Sequence, residues 1–203
     1  MTQSQKKYQI IYADPPWSYN DKMSGHSFSL DHEYSTQSKN WICGLPVGGV
    51  TDTNCVLFLW AVSPLLPEAF EVMKAWGFKF KTVAFVWSKR HKDGNPVSNL
   101  GRWTMGNVEL CLLGTKGSPK RQCKNIKQLV EDYRSEHSKK PDSIRDMIVN
   151  LMGDIPRLEL FARDREGADL FGKDRFEGWD VWGNEAKNSI KITVDNSLAK
   201  NTQ

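Results

Sequence analysis

The stretch Tyr8–Ala13 (YQIIYA) is apolar almost throughout and halts at Asp14-Pro15-Pro16. An apolar run without alternation reads as a strand covered on both faces. The two prolines lack the N–H a ladder needs, and Asp14 and Pro15, each standing before a proline, are pushed towards extended backbone. A doubly covered strand requires helices on either side, which points to an α/β architecture.

The rest of the chain fits that pattern. Residues 55–62 (CVLFLWAV) read as a second buried strand. A helix follows, with Ser63 as its cap, Pro64 in its first turn and Gly77 as its stop. Leu66, Ala69, Phe70, Met73 and Trp76 are expected on its inner face. Further strands are expected at 78–87, 108–114 and 158–162, with a sixth at 179–182. A helix is expected at 141–152, where Ile144, Met147, Ile148 and Leu151 share a face, and Pro156 bars its continuation. The segment 18–40 reads as a loop ending in a short helix near 39–43, 89–106 as a loop, and 116–140 as polar with at most a short helix at 126–133. Strands alternating with helices predict one doubly wound domain over 1–203, a mainly parallel sheet with helices on both faces and a flexible polar tail at 186–203. Ligands of such sheets sit at the carboxyl ends of the strands, where the Asp14 turn lies.

Composition limits the function classes. With 28 basic and 24 acidic residues the chain carries a net +4, which permits a polyanionic partner without demanding one. Cys43, Cys55, Cys111 and Cys123 form no C-x-x-C pair, and the four histidines have no zinc spacing with them, so reduced thiols and no metal are expected. Residues 1–7 lack the apolar run of a signal peptide, and no apolar stretch is long enough to span a bilayer. A cytoplasmic monomer or homodimer is the expectation.

Asp14-Pro15-Pro16-Trp17 suits the activation of an exocyclic amine such as adenine N6. The lone pair of that amine is delocalised into the ring, and it must become more tetrahedral to attack a methyl group. The Asp14 carboxylate can accept one of its N–H bonds and a backbone carbonyl the other, both preplaced in a water-poor site. The prolines remove two donors that would compete for these acceptors. Trp17 offers a flat face to the base or to the turn itself. An ordinary strand-ending turn is the plainer alternative, since Asp-Pro is common turn chemistry.

At this motif the chain resembles the DPPW-type N6-adenine methyltransferases, a family that includes the catalytic subunit of the eukaryotic mRNA adenosine methyltransferase and bacterial and phage DNA enzymes. The resemblance runs from Tyr8 to Glu185 through YADPPW (12–17), VLFLW (56–60), VWSK (86–89), GNVELCLLGTKG (106–117), KKPDSI (139–144), ELFAR (159–163) and GWDVWGNE (178–185). It implies a Rossmann-like fold and S-adenosylmethionine as cofactor. It also implies roles: Asp14 at the target amine and near the methionine part of the cofactor, Tyr34 near the target base, Lys140 on the cofactor carboxylate, and Arg163 and Asn184 on its ribose. Glu185 stands where the eukaryotic enzyme has a glutamine, and Arg165 where it has a histidine, with Arg175 as a rival for that position. Few residues precede Tyr8, so the upstream strand and acidic residue of that enzyme have no counterpart, and some cofactor contacts are expected from elsewhere.

Two runs rich in cations and free of acids, 78–92 and 116–127, are the expected phosphate contacts, with Lys89, Lys120 and Arg121 among them. Trp17, Tyr34 and Trp103 are the expected stacking residues for an extruded base. DNA is the expected substrate, because the compact form resembles the phage and bacterial members. The alternatives are RNA adenosine, cytosine N4, for which such enzymes more often begin the motif with Ser, and a catalytically silent nucleic-acid-binding subunit.

Overall fold

The structure, a computed structural model, describes residues 6–18, 36–101, 103–133, 139–163 and 176–192. Its strands are β1 (Tyr8–Ala13), β2 (Thr51–Ala61), β3 (Lys79–Arg90), β4 (Val108–Lys116), β5 (Leu129–Tyr133), β6 (Arg157–Leu160) and β7 (Asp180–Trp182). Its helices are α1 (Lys39–Gly44), α2 (Leu66–Ala75) and α3 (Ser143–Met152). The seven strands form one sheet in the order β5-β3-β4-β2-β1-β6-β7. β4 is antiparallel to both β2 and β3, and every other pairing is parallel. The mostly parallel expectation therefore holds, with one reversed strand inside it.

Alternation along β1 and β2 divides the core between two faces. Ile11, Ala13, Leu57 and Leu59 join Ile42 of α1 and Ala69, Val72 and Met73 of α2. Ile10, Tyr12, Val56, Phe58 and Trp60 join Ile144, Ile148 and Met152 of α3 on the other face. Helices thus cover both faces, as the apolar runs require.

Several local expectations are corrected. Ser63 makes no capping bond. It opens a 3-10 turn, Ser63–Leu65, and α2 starts only at Leu66, with Pro67 in its first turn. Gly77, at φ 84°, does end the helix. Phe70 faces outward against the ring of Phe80 at 5.0 Å, and Val72 takes the inner face with Ala69, Met73 and Trp76. The segment 129–133 is a strand, not a helix: β5 pairs with β3 at the sheet edge, and its Val130 is buried between exposed neighbours. β6 stops before Phe161, whose φ of 63° lies outside the strand region and ends the ladder. Ser189 is tied to β7 through its N–H to the Val181 carbonyl and its hydroxyl to the Val181 N–H.

Candidate active site

Parallel pairing sets the ends of β1, β2 and β6 side by side, so Asp14 emerges at the carboxyl pole of the sheet. The turn after it is held by its own backbone. The Trp17 N–H donates to the Pro15 carbonyl at 2.9 Å, and the Gln37 N–H to the Pro16 carbonyl at 2.8 Å. The Trp17 indole N–H donates to the Trp60 carbonyl at the end of β2, 3.0 Å away, and the ring packs against the core. Trp17 is thereby tied to the end of β2.

Four charges of alternating sign run from the turn across the pole. Lys140 Nζ lies 2.8 Å from Asp14 Oδ2 and 3.1 Å from Glu109 Oε2, and Glu109 also pairs with Lys89. Lys140 is delivered by the segment that leads into α3, and Lys89 by the end of β3. Glu109 reaches the same place because β4 is reversed, so that its beginning, not its end, lies at the carboxyl pole. The side chains of Lys140, Glu109 and Asp14 are 9%, 16% and 23% exposed. Burial opposes the Lys140 ammonium, yet Asp14 and Glu109 outweigh it and hold its pKa above the ordinary lysine value. Burial likewise opposes the Glu109 carboxylate, and Lys140 and Lys89 hold its pKa below the usual glutamate value. Lys140 sits 5.4 Å from the Trp60 ring centre and Lys89 5.0 Å from that of Trp87.

The floor beneath is a second ion pair. Arg145 of α3 grips Glu159 of β6 with two bonds of 2.6 and 2.8 Å, over the Tyr12 ring. Burial lifts the Glu159 carboxyl above its ordinary value even with Arg145 beside it. Such a pair ties α3 to the sheet and fixes the approach of Lys140, which lies just ahead of the helix.

A cleft opens on the other side of the Asp14 turn, lined by Pro16, Phe161, Arg163, Trp182, Asn184 and Glu185 among others. Phe161 stands 5.8 Å from Trp182 and 6.5 Å from Trp41, giving the cleft an aromatic wall. Arg163 and Glu185 are bridged in parallel, which extends the β6–β7 pairing into the cleft rim. Gly183 is required there. A Cβ would overlap the Ala162 carbonyl oxygen and come within 2.7 Å of its nitrogen. The Gly183 N–H donates to Asn188 Oδ1 at 2.7 Å, which braces the rim from the tail side.

The structure thus gathers Asp14, Lys140 and Lys89 on one side of the turn and Arg163, Asn184 and Glu185 on the other. Trp103 stands exposed in the β3–β4 connection at the same pole. Lys120 and Arg121 do not join them. Lys116 pairs with Cys55 at the beginning of β2, and the Gln122 N–H reaches the Leu151 carbonyl at the far end of α3. The 116–127 run therefore leaves from the amino pole, opposite Asp14, because β4 runs the other way. Tyr34, Arg165 and Arg175 lie outside the described residues. Sequence reasoning missed Glu109, although an acid standing beside the apolar run LCLL was a signal for it. It also missed Gln37 and Trp41, which nothing local marks. Among the described residues no cluster of His, Cys, Asp or Glu is placed to hold a metal ion, and no helix is long and apolar enough to cross a membrane.

The MT-A70 family model matches residues 8–185, from the first residue of β1 to the far rim of the cleft. The chain belongs to the MT-A70 family. The type II methyltransferase M.MunI of a Mycoplasma species is 34% identical over 97% of this chain and 85% of its own length. The human N(6)-adenosine-methyltransferase catalytic subunit METTL3 is 27% identical over 77% of this chain and 26% of its own length. The N(6)-adenosine-methyltransferase MT-A70-like protein of Arabidopsis thaliana is 28% identical over 77% and 22%. The chain thus spans most of the first relative and about a quarter of the other two. All of the site elements described above, from Asp14 through Glu109 and Lys140 to Glu185, fall inside the family match.

Proposed function

We propose that this MT-A70 chain transfers a methyl group from S-adenosylmethionine to the N6 amine of adenine in DNA. The observation that carries the reading is the placement of the Asp14 carboxylate at the carboxyl pole, between a buried cation and an aromatic-walled cleft. The donors present fit the cofactor by chemistry. Lys140 suits a carboxylate, Arg163, Asn184 and Glu185 suit ribose hydroxyls, and the Trp41–Phe161–Trp182 wall suits an adenine ring. When bound, S-adenosylmethionine supplies an electrophilic methyl group on a positively charged sulfur.

The chain's own residues do the rest. Asp14 accepts an N–H bond from the target amine and draws its lone pair out of the ring. The Pro15 carbonyl, which has a second lone pair beyond the one taken by Trp17, offers an acceptor for the other N–H. With that methyl donor bound, the amine nitrogen would take the carbon as the carbon–sulfur bond broke, and one amine proton would leave to solvent. Asp14 need not be a strong base for this, because the methylated amine is acidic. Lys140 aims the Asp14 carboxylate through the 2.8 Å ion pair between them. Its hold must loosen when a cofactor carboxylate competes for the same ammonium.

The match to a type II methyltransferase across most of both chains favours DNA. The N(6)-adenosine-methyltransferase relatives support RNA as the second reading, over a smaller share of their length. The test is to incubate the protein with S-adenosylmethionine and unmethylated DNA or RNA, digest to nucleosides and identify products by mass spectrometry. N6-methyladenine in DNA is expected, and Asp14→Ala should abolish it. Methylated RNA alone would move the substrate to the second reading. No product from either polymer would defeat the proposal.

A further inference from the structure

We infer that the tip of the β3–β4 connection is a wedge that enters a DNA duplex and fills the space left by the extruded adenine. This rests on the base-modifying reading above and assigns it double-stranded DNA as substrate.

The described residues of the connection are braced by backbone hydrogen bonds. Val97 is buried and its N–H donates to the Lys89 carbonyl at 2.9 Å, while the Lys89 N–H donates to Asn107 at 3.2 Å. Beyond that root, Asn99 and Gly106 exchange both backbone hydrogen bonds, at 2.9 and 2.8 Å. Gly101 allows the tight turn, since a Cβ there would overlap the Thr104 carbonyl oxygen. Yet this braced tip offers water its largest apolar groups: Trp103 is 97% exposed, Leu100 89% and Met105 54%. A single exposed Leu needs no explanation, but three large apolar side chains exposed within six residues of one connection call for an occupant.

Position and charge choose the occupant. The root residue Lys89 is the last member of the Asp14–Lys140–Glu109–Lys89 array, so the tip stands at the pole where the target base must arrive. The sequence from 94 to 108 contains no acid, and at its base Lys89, Arg90, His91 and Lys92 stand beside one acid, Asp93. Part of that charge is matched by Glu109 and Glu131, but nothing on the tip itself repels phosphates. An adenine paired in a duplex cannot reach Asp14 without leaving the stack. Apolar side chains inserted between base steps are the known physical means of holding a stack open, and an indole stacks on any base regardless of sequence.

The experiment first maps the methylated site on unmethylated plasmid DNA with the wild-type chain. It then compares wild type with Trp103→Ala on two short duplexes carrying that site, one fully paired and one with a mismatch opposite the target adenine. A third sample carries 2-aminopurine at the target to report unstacking by fluorescence. Trp103→Ala is expected to slow methylation of the paired duplex about tenfold or more. The mismatched duplex should recover most of that loss, because its base is already unstacked. The 2-aminopurine signal should fall, and cofactor affinity should be unchanged, which also shows that the variant is folded. Equal loss on both duplexes, or no loss on either, would overturn the wedge. So would wild-type preference for single strands, or a shift from dimer to monomer with uniform loss, which would make the tip a protein contact. Wild-type silence on every DNA would instead overturn the base-modifying reading, and the wedge with it.

Discussion

Glu109 holds two lysines at once, so replacing it with glutamine removes the negative charge at the centre of the array while keeping its shape. The amide oxygen can still accept from one lysine, but only as a neutral partner. A hydrogen bond to a charged group contributes about 1.5–3 kcal/mol, and Glu109 makes one to each of Lys89 and Lys140. Little water reaches the group, so screening is modest. The net loss for Glu109→Gln should be about 2–3 kcal/mol, or about 4–12 °C in Tm for a chain of this length. The pH dependence follows from the direction of the shift. Lys140 and Lys89 depress the Glu109 pKa below 4.5, so its stabilisation is complete above that value and is lost as pH falls through the lower, folded-state pKa. Urea unfolding of wild type and variant at neutral pH and at steps down through pH 4.5 gives both quantities. The gap between the two proteins should be widest at neutral pH and narrow on acidification. A gap near zero at neutral pH, as exposed ion pairs give, or one that does not change with pH, would refute the assignment of Glu109 as a buried, charged bridge.

Two further changes probe the cleft and the far pole. Gly183→Ala forces a Cβ into the Ala162 backbone and should cost about 1–3 kcal/mol in denaturant unfolding while weakening S-adenosylmethionine binding in calorimetry. A variant that binds and folds like wild type would show that the rim has room to yield. The Lys120→Ala/Arg121→Ala pair removes two charges from the amino pole, so kcat on DNA should stay within about twofold of wild type, given that surface changes away from a site have small effects. A large fall in kcat would mean that substrate wraps to the opposite end of the sheet.

The frame of this fold could be read from short pieces of sequence where one force acted alone. Tyr8–Ala13 is an uninterrupted apolar run cut by prolines, and β1 has those bounds. α3 follows its Ile144–Ile148 stripe closely. Elements whose stability comes from a neighbour were not legible. In Leu129–Tyr133 only Val130 is buried, and the strand exists because β3 offers an unpaired edge. The inward stripe of α2 differs by the swap of Phe70 for Val72, since two faces of that helix are apolar and only packing against β2 and α1 selects one. For the site, the Asp14 turn was visible because its chemistry is contiguous. The reach of Lys140 to Asp14 spans most of the chain, and only the resemblance pointed to it as a site residue. The separation of Lys120 and Arg121 from the site was hidden for a different reason. Residue spacing carries no information on strand direction, and the direction of β4 decides to which pole its flanks belong.

That reversed strand has a consequence for how such a protein can diversify. A parallel crossover must carry the chain back across the sheet, usually through a helix, and its length is constrained by that journey. Between β3 and β4 no return is needed, so the connection is a hairpin extension, bridged at Arg90–Pro96 and Asn99–Gly106, at the reaction pole. Its length and composition can change while β1, β2, β6 and the Asp14 turn stay where they are. The architecture therefore separates a fixed chemical frame from an exchangeable hairpin, and grafting alternative tips between Asn99 and Gly106 leaves the core unaltered.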